Sequence, residues 1–308
     1  MSKKSTRQAY GEALVELGKI NKDVVVIDAD LSGSTKTSMF KKEFPERHFN
    51  VGIAEADLIG TAAGFATCGK VVFASTFAMF AAGRAFEQIR NTVAYPKLNV
   101  KIAPTHAGIS VGEDGGSHQS VEDIALMRSI PGMVVLSPAD AVETKKMIFA
   151  AAEYNGPVYI RMGRLDINTI LPEDYDFQIG IANTLRDGND VTIAATGLMV
   201  ERALEAAQTL EKEGISVRVI NVGTIKPIDG ETILKAAKET KFIITAEEHS
   251  VIGGLGSAVS EFLSEVHPTK VKKLGIYDKF GQSGKGEELL EKYDLTAAKL
   301  VQMVKENM

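Results

Sequence analysis

A glycine-rich stretch from Gly112 to Gln119 places an acidic and a basic side chain four residues apart. These are Asp114 and His118, and a second histidine, His106, lies a short distance upstream. Histidine titrates near neutral pH and aspartate accepts hydrogen bonds, so the three side chains could bind a polar ligand and move a proton on it. Glycines let the backbone approach such a ligand closely. The pattern predicts a polar pocket, while a surface turn capped by Asp114 has the same local sequence.

A further candidate is Glu55, which follows a strand-like run and begins a predicted helix rich in small residues. Gly60 and Gly64 lie inside that helix, so its backbone can pack closely against a neighbouring element. Close packing would leave Glu55 in apolar surroundings, where a carboxyl group can share a proton with a ligand nitrogen. A first-turn glutamate that only stabilises the helix dipole is the alternative.

The elements that must position these residues alternate regularly in the first half of the chain. Short β-branched runs are predicted strands at residues 24–27, 71–73, 100–102, 133–136 and 158–160. Segments of helical periodicity lie at residues 9–19, 55–67, 84–94, 121–128 and 139–153. Such alternation is typical of βα units in a mainly parallel sheet. The loop that carries His106 follows a predicted strand, which is a common place for a binding site in this class.

The alternation is interrupted between residues 166 and 190, where polar and turn-forming residues suit an interdomain connection. It resumes with strands near 191–194, 217–220 and 242–245, helices near 198–213 and 230–238, and further segments at 253–262, 271–277 and 296–305. A chain of 308 residues also exceeds the usual size of one hydrophobic core. We therefore predict an α/β fold of two doubly wound domains, residues 1–185 with a linker from about 166 and a smaller domain at 186–308.

The composition excludes several classes of function. The formal net charge is -5, and the dispersed Lys and Arg residues offer no basic face for nucleic acid or an anionic membrane. The longest nearly apolar stretch, from Val71 to Ala82, is too short to span a bilayer, for which about 20 residues are needed. Cys68 is the only cysteine, and the first residues lack the apolar segment of a secretory signal. We expect a reducing, cytoplasmic location.

Four motifs in order resemble the transketolase family, and the resemblance covers nearly the whole chain. They are Ile53-Ala54-Glu55 with its glycine-rich helix, Ser75-Thr76-Phe77 followed by Phe80, Thr105-His106, and the stretch from Gly112 to Gln119. The resemblance implies a thiamine-diphosphate pyrimidine-binding domain followed by a transketolase C-terminal domain. It also implies transfer of a two-carbon ketol unit from a ketose phosphate to an aldose phosphate.

The resemblance assigns cofactor-binding roles to four residues, of which Glu55 is the centre. Glu55 would hydrogen-bond a ring nitrogen in the aminopyrimidine of thiamine diphosphate and so favour the reactive form of the cofactor. Phe77 and Phe80 match aromatic positions that pack on the pyrimidine, and Asp30 would lie near the cofactor. Taken alone, two phenylalanines three residues apart are more often part of a core, and Asp30 suits a capped turn.

Six residues match substrate-binding positions of the family: Arg7, Ser34, His106, Asp114, His118 and Arg161. The two arginines match residues that hold the substrate phosphate, to which a guanidinium fork is well suited. Ser34 and His106 match further contacts with the sugar phosphate. The loop residues Asp114 and His118 match groups that bind sugar hydroxyls beside the bond that is made or broken. Considered singly, each arginine would more often form a surface ion pair.

One expected motif is missing. Family members bind the cofactor's diphosphate and Mg²⁺ through Gly-Asp-Gly and a downstream asparagine, but the extra glutamate between Gly112 and Gly115 breaks that spacing. Mg²⁺ needs oxygen ligands in a defined geometry, so we assign no metal ligand to this chain and expect them on a partner subunit. The resemblance then implies a split enzyme, in which this chain is the C-terminal subunit of an α2β2 assembly with a homodimeric core and is inactive alone.

Two departures from the family pattern leave the substrate open. Gly83 stands where full-length transketolases often have a third aromatic residue, and Ala54 replaces the arginine that commonly precedes the catalytic glutamate. The second feature is shared with deoxyxylulose phosphate synthases. A subunit like those synthases, or like the β subunit of a 2-oxoacid dehydrogenase, is therefore an alternative. A non-catalytic module that binds sugar phosphates is another.

Overall fold

The computed structural model describes residues 3–308, and strands and helices alternate along its first part. The strands there are β1 (Lys3–Lys4), β2 (Val24–Asp28), β3 (His48–Asn50), β4 (Val71–Ser75), β5 (Val100–Ile102), β6 (Val134–Leu136), β7 (Val158–Ile160) and β8 (Ile167–Asn168). The α-helices are α1 (Thr6–Ile20), α2 (Ser32–Thr35), α3 (Ser38–Glu43), α4 (Glu55–Thr67), α5 (Asp123–Arg128) and α6 (Ala141–Glu153). No helix within residues 3–308 is long and apolar enough to cross a membrane.

The second part repeats the alternation. Its strands are β9 (Asn183–Arg186), β10 (Val191–Ala195), β11 (Val217–Asn221), β12 (Thr224–Lys226), β13 (Ile243–Ser250) and β14 (Val271–Ile276). Its helices are α7 (Met199–Glu211), α8 (Gly230–Glu239), α9 (Leu255–Val266), α10 (Gly286–Lys292) and α11 (Ala297–Asn307). The fold is mixed α/β with parallel sheets, as the sequence predicts.

The first sheet has the strand order β12-β6-β7-β5-β4-β2-β3, in which all neighbours except β12 and β6 are parallel. Alternate residues of its valine-rich strands face opposite sides, because strand side chains have a period of two. Val24 and Val26 pack with α1 and α6, whereas Val25 and Ile27 pack with α4 and α5. Helices therefore cover both faces of the sheet, which makes this unit doubly wound.

The second sheet has the order β14-β13-β10-β11-β9, with only β9 antiparallel. Two features join the two sheets. One apolar cluster extends from the α1–α6 side of the first sheet to the side of the second sheet covered by α7 and α11. In addition, β12 belongs to the second part of the chain but pairs with β6 at the edge of the first sheet. The predicted boundary near residue 186 falls at the end of β9.

The predicted helix at residues 84–94 has a different form. The structure has two π-helical segments instead, Phe80–Arg84 and Gln88–Ala94. Their backbone hydrogen bonds skip one residue more than in an α-helix, as in the bond from the Ala85 amide to the Phe80 carbonyl, at 3.3 Å. The apolar and small residues of this segment indicate a helix, but they do not determine which carbonyl each amide will bond, so the π form was not predicted. Such turns often occur at functional sites.

Candidate functional site

Two phenylalanines and two histidines form a compact cluster beyond the carboxyl ends of β4 and β5. The rings of Phe77 and His106 stack with centroids 3.8 Å apart, and Phe80 lies 5.9 Å from Phe77. His118 meets the edge of this pair, 5.2 Å from Phe80 and 6.3 Å from Phe77. The carboxyl ends of adjacent parallel strands are the usual ligand-binding edge of such a sheet. The structure thus brings together four residues that the sequence predicted for one site.

Glu55 is the first residue of α4 and is only 5% exposed. Its carboxylate pairs with Arg84, whose Nη1 atom lies 3.2 Å from one carboxylate oxygen and 3.4 Å from the other. The same guanidinium lies over the ring of Phe80, 4.0 Å from its centroid. Glu55 therefore adjoins the aromatic cluster through Arg84. The sequence reasoning did not single out Arg84, although an arginine four residues beyond Phe80 on a helix would lie beside it.

Positive charge accumulates on the other side of His106. Arg7 donates to the backbone carbonyl of Ser34 at 3.0 Å, and its Nη1 atom lies 3.5 Å from His106 Nε2. Burial, together with the charges of Arg7, Arg164, His118 and Lys36, lowers the pKa of His106 to about 3. Burial, and then the charge of Arg164, also lowers the pKa of Arg7. This excess of cations around a neutral imidazole suits an anionic group of a ligand.

An unpartnered atom reinforces this interpretation. Arg7 Nε is buried and has no hydrogen-bond partner within residues 3–308, although buried polar atoms are nearly always paired. Within that same range, no ion pair involves Arg7. A guanidinium fork with a free donor can take an oxyanion such as phosphate through two parallel hydrogen bonds. We call Arg7, His106 and Arg164 the cationic pole.

The two arginines after β7 have different positions. Arg161 is buried, and its Nε atom lies 2.9 Å from Asp123, while its Nη2 atom donates to the Glu248 carbonyl at 2.9 Å. Tyr159 also donates to Asp123, at 2.9 Å, because residues 159 and 161 share one side of the extended chain. Arg161, predicted to hold a phosphate, is therefore not brought together with Arg7 and His106. Arg164, which the sequence did not indicate, lies near both Arg7 and His106 and acts on the pKa of each.

Arg164 connects the cationic pole to the glycine-rich loop. It donates to the Val111 carbonyl at 2.5 Å and lies 3.5 Å from an Asp114 oxygen and 3.7 Å from Glu113. Asp114 is partly exposed and lies beside the cationic pole, whereas the His118 ring contacts Phe77 and Phe80. Spacing gave one usable signal for Arg164, since it follows a glycine just beyond the end of a strand, where binding loops begin.

Ser34 and Asp30 lie in the short connection after β2. Asp28 organises this connection by accepting hydrogen bonds from the Leu31 amide at 2.5 Å and from Thr35 at 2.7 Å. Ser34 is brought to Arg7 through its carbonyl oxygen, as noted above. Asp30 is exposed and adopts a positive φ of 60°, and its carboxylate accepts from the side chain of Asn50 at 3.1 Å. Both predicted residues are therefore at the carboxyl edge of the first sheet.

A cavity of about 510 Å³ opens beside the aromatic cluster. Its lining includes Met79, Phe80, Gly83 and Arg84 of the first part and residues 278–281 of the second part. The ring of Phe80 and the adjacent buried carboxylate of Glu55 fit a flat heteroaromatic ring that carries a hydrogen-bonding nitrogen. Within residues 3–308, no group of three or more His, Cys, Asp or Glu side chains could hold a metal ion.

Comparison with known proteins agrees with this geometry. Residues 2–169 match the transketolase pyrimidine-binding domain, and residues 180–300 match the transketolase C-terminal domain. This chain belongs to the transketolase family. A relative from Methanocaldococcus jannaschii, described as a predicted transketolase C-terminal section, is 55% identical over 308 residues, which span 99% of this chain and 96% of the relative.

Two further members of the transketolase family are informative. A Clostridium sp. protein named as a 6-deoxy-6-sulfo-D-fructose transketolase subunit is 42% identical over 300 residues, covering 97% of this chain and 93% of that protein. A solved structure described as a split-gene transketolase, inactive β4 tetramer, has a TM-score of 0.90 and 55% identity, covering 98% of this chain and 97% of that one. The family and the order of its two domains are thus as the sequence predicted.

Proposed function

We propose that this transketolase-family chain is the C-terminal subunit of a split, thiamine-diphosphate-dependent transketolase. It would transfer a two-carbon ketol unit from a ketose phosphate to an aldose phosphate. The observation that carries the proposal is the grouping of a buried carboxylate, two aromatic rings and a cationic pole at one sheet edge. Relatives of matching extent that are described as a C-terminal section and as a subunit support the split arrangement.

When bound, thiamine diphosphate supplies a nucleophilic carbon and an electron sink for breaking the carbon–carbon bond. Glu55 is the residue best suited to the pyrimidine ring, because a buried carboxylate can accept and hold a proton shared with a ring nitrogen. Arg84 occupies both oxygens of that carboxylate and must yield one of them to the ring. Phe77 and Phe80 would provide the flat apolar wall, and Asp30 a polar contact nearby.

The cationic pole is the proposed binding site for the anionic end of the sugar. Arg7 and Arg164 would take the oxyanion, and neutral His106 would donate or accept one hydrogen bond beside it. We assign to Arg164 the phosphate contact predicted for Arg161, because the guanidinium of Arg161 is already paired with Asp123. Ser34 lies beside the same group through Arg7. The sulfonated sugar in the name of the Clostridium sp. relative is likewise anionic.

Asp114 and His118 would bind the hydroxyl groups of the sugar between the cationic pole and the aromatic cluster. His118 faces the rings on which the pyrimidine would pack, so it is suited to orient the reacting end of the substrate and to move a proton on it. The diphosphate and Mg²⁺ would be bound by an N-terminal partner subunit in an α2β2 assembly. The single cysteine, Cys68, favours a reducing cytoplasmic location.

The test is reconstitution. The purified chain is mixed with a diphosphate-binding transketolase subunit, thiamine diphosphate, Mg²⁺, a ketose phosphate and an aldose phosphate, and ketol transfer is measured. We expect transfer only when both subunits are present, and we expect Glu55→Gln to lower the rate by about a hundredfold or more. Asp57→Asn, an exposed carboxylate in the first turn of the same helix, is the matched control for a helix-dipole role.

Three results would overturn the proposal in different directions. Full activity of Glu55→Gln would exclude the role of the carboxylate. Release of carbon dioxide from a 2-oxoacid would indicate a dehydrogenase β subunit or a deoxyxylulose phosphate synthase. Sugar-phosphate binding without any turnover in the presence of the partner would indicate a non-catalytic module.

A further inference from the structure

The loop that carries Asp114 and His118 is built against the C-terminal domain, and Gln119 is the centre of that contact. Gln119 is buried, and its amide nitrogen donates to the carbonyls of Ile109 at 2.9 Å and Gly112 at 3.3 Å, within the loop. It also donates at 2.9 Å to the carbonyl of Gln282, in the segment that leads from β14 to α10. One side chain therefore ties both ends of the loop to the second domain.

The two segments approach so closely that three glycines at the contact have no room for a side chain. A Cβ atom at Gly281 would lie 1.8 Å from Gln119 Oε1, and one at Gly116 would lie 2.8 Å from the Gly281 carbonyl oxygen. One at Gly115 would lie 2.5 Å from the hydroxyl of Ser283. The glycines of both segments are explained by this packing, in addition to any contact with a ligand.

A second contact holds the beginning of the loop. Glu248, at the end of β13, is buried and accepts from the Ser110 amide at 2.7 Å. Gly108 faces this carboxylate so closely that a Cβ atom would lie 2.3 Å from it. Further along, a Cβ atom at Gly286, where α10 begins, would lie 2.9 Å from the Ser110 carbonyl oxygen. Two separate parts of the C-terminal domain thus contact the loop on either side of Asp114.

We propose that the C-terminal domain sets the position of the substrate loop, with Gln119, Gly281 and Glu248 as positioning residues that act through Asp114 and His118. The inference rests on the proposed function for the roles of Asp114 and His118, but the coupling between loop and domain does not. A displacement of about 1 Å in such groups is enough to lower a rate by as much as a hundredfold. A domain without chemistry of its own can therefore control turnover by holding the loop.

The experiment compares two glycines of the same segment. Gly281→Ala would displace the Gln119 side chain, whereas the atoms nearest to a Cβ at Gly284 belong to the flexible side chain of Leu289 in α10, the closest at 3.0 Å. Both variants are tested in the full chain by hydrogen exchange of residues 108–120, and in the reconstituted enzyme by kcat, KM and thiamine-diphosphate affinity. Gln119→Ala and the double variant with Gly281→Ala complete a double-mutant cycle.

We expect Gly281→Ala to lower kcat/KM for the sugar by about tenfold to a hundredfold, to lower thiamine-diphosphate affinity by a smaller factor, and to speed the exchange of the loop amides. Gly284→Ala should resemble the wild type. In the Gln119→Ala background, Gly281→Ala should add little, because the side chain that it displaces is gone. Normal exchange and normal kinetics in folded Gly281→Ala, or equal losses in Gly284→Ala, would overturn the proposal.

If Gly281→Ala does not fold, Gln119→Ala tests the proposal, since it removes the hydrogen bond to the Gln282 carbonyl without adding volume. Wild-type exchange and turnover in that variant would refute the positioning role. The proposed function fails separately, if the reconstituted wild-type enzyme transfers no ketol unit. In that case, faster loop exchange in Gly281→Ala would still establish the coupling, and unchanged exchange would reject it.

Discussion

Arg161 and Arg164 are three residues apart in the sequence but lie in regions of opposite charge balance. Arg161 belongs to a network between the two domains, in which its guanidinium is paired with Asp123 and capped by two backbone carbonyls. Arg164 lies at the cationic pole, where its charge and that of Arg7 depress the pKa of His106. In the first region the guanidinium is paired with a buried carboxylate, whereas in the second Arg7 Nε has no hydrogen-bond partner within residues 3–308.

The contrast separates a structural role from a binding role. The Nε and Nη2 donors of Arg161 already meet a carboxylate and two backbone carbonyls, which favours a structural role. Removing this guanidinium would leave the buried carboxylate of Asp123 without a positive partner. An arginine next to other cations is unfavourable in the free protein and becomes favourable when an anion binds. Residue type and approximate position do not decide between these roles, but the charge of the neighbours does.

The largest expected effect separates the two regions by stability. Arg161→Met should lower the free energy of unfolding by about 3–5 kcal/mol, because the carboxylate of Asp123 would remain buried without a positive partner. Arg7→Met should leave stability nearly unchanged, because no carboxylate within residues 3–308 forms an ion pair with Arg7. Denaturant titration of both variants measures the difference.

The kinetics of the same two variants should show the reverse. Arg7→Met should raise KM for a phosphorylated sugar in the reconstituted enzyme by about tenfold or more, since a charge-assisted hydrogen bond contributes roughly 1.5–3 kcal/mol. A stable Arg161→Met protein with a raised KM would break the comparison. It would restore the phosphate role predicted for Arg161 from the sequence.

A second prediction concerns the pH dependence of stability at the cationic pole. Burial and neighbouring cations lower the pKa of His106 to about 3, so the unfolded chain binds a proton on this residue below about pH 6.5 while the folded chain does not. The contribution of neutral His106 to the free energy of unfolding is fully present above pH 6.5 and is lost as the pH falls toward 3. Between pH 7 and pH 4, the free energy of unfolding of His106→Asn should therefore fall by roughly 3 kcal/mol less than that of the wild type. Parallel pH profiles of the two proteins would contradict the assignment.

The sequence predicted the parts of this fold that depend on local pattern. Valine-rich runs became β2, β4, β5, β6 and β7 within a few residues, because strands buried on both faces are continuously apolar. The helix that carries Glu55 has the predicted limits, since its first residue follows a strand end and small residues fill its interior. Ordered motifs supplied the site residues that the periodic pattern could not.

The sequence did not predict features that depend on distant contacts. β12 is three residues long and pairs with a strand almost ninety residues earlier, so no local pattern indicates it. The family resemblance assigns the phosphate contact to Arg161 and no role to Arg164, because the neighbours that each arginine meets depend on distant contacts. The alternation from Tyr159 to Arg161 was an available signal, because it assigns both side chains to the side that Tyr159 occupies in the core.

The smallest expected effect concerns Arg84, which is ion-paired like Arg161 but lies at the proposed binding site, where it contacts Glu55. Arg84 is more than half exposed, so its ion pair and its contact with Phe80 should each contribute at most about 1 kcal/mol. Arg84→Met should change the free energy of unfolding by less than about 1 kcal/mol. Because the guanidinium occupies the oxygens that a pyrimidine nitrogen would need, the same variant should bind thiamine diphosphate in the reconstituted enzyme equally well or up to about fivefold more tightly. Calorimetric titration measures that affinity. Markedly weaker binding would mean that Arg84 stays on Glu55 and orients it. The pair would then have a structural role like that of Arg161 and Asp123.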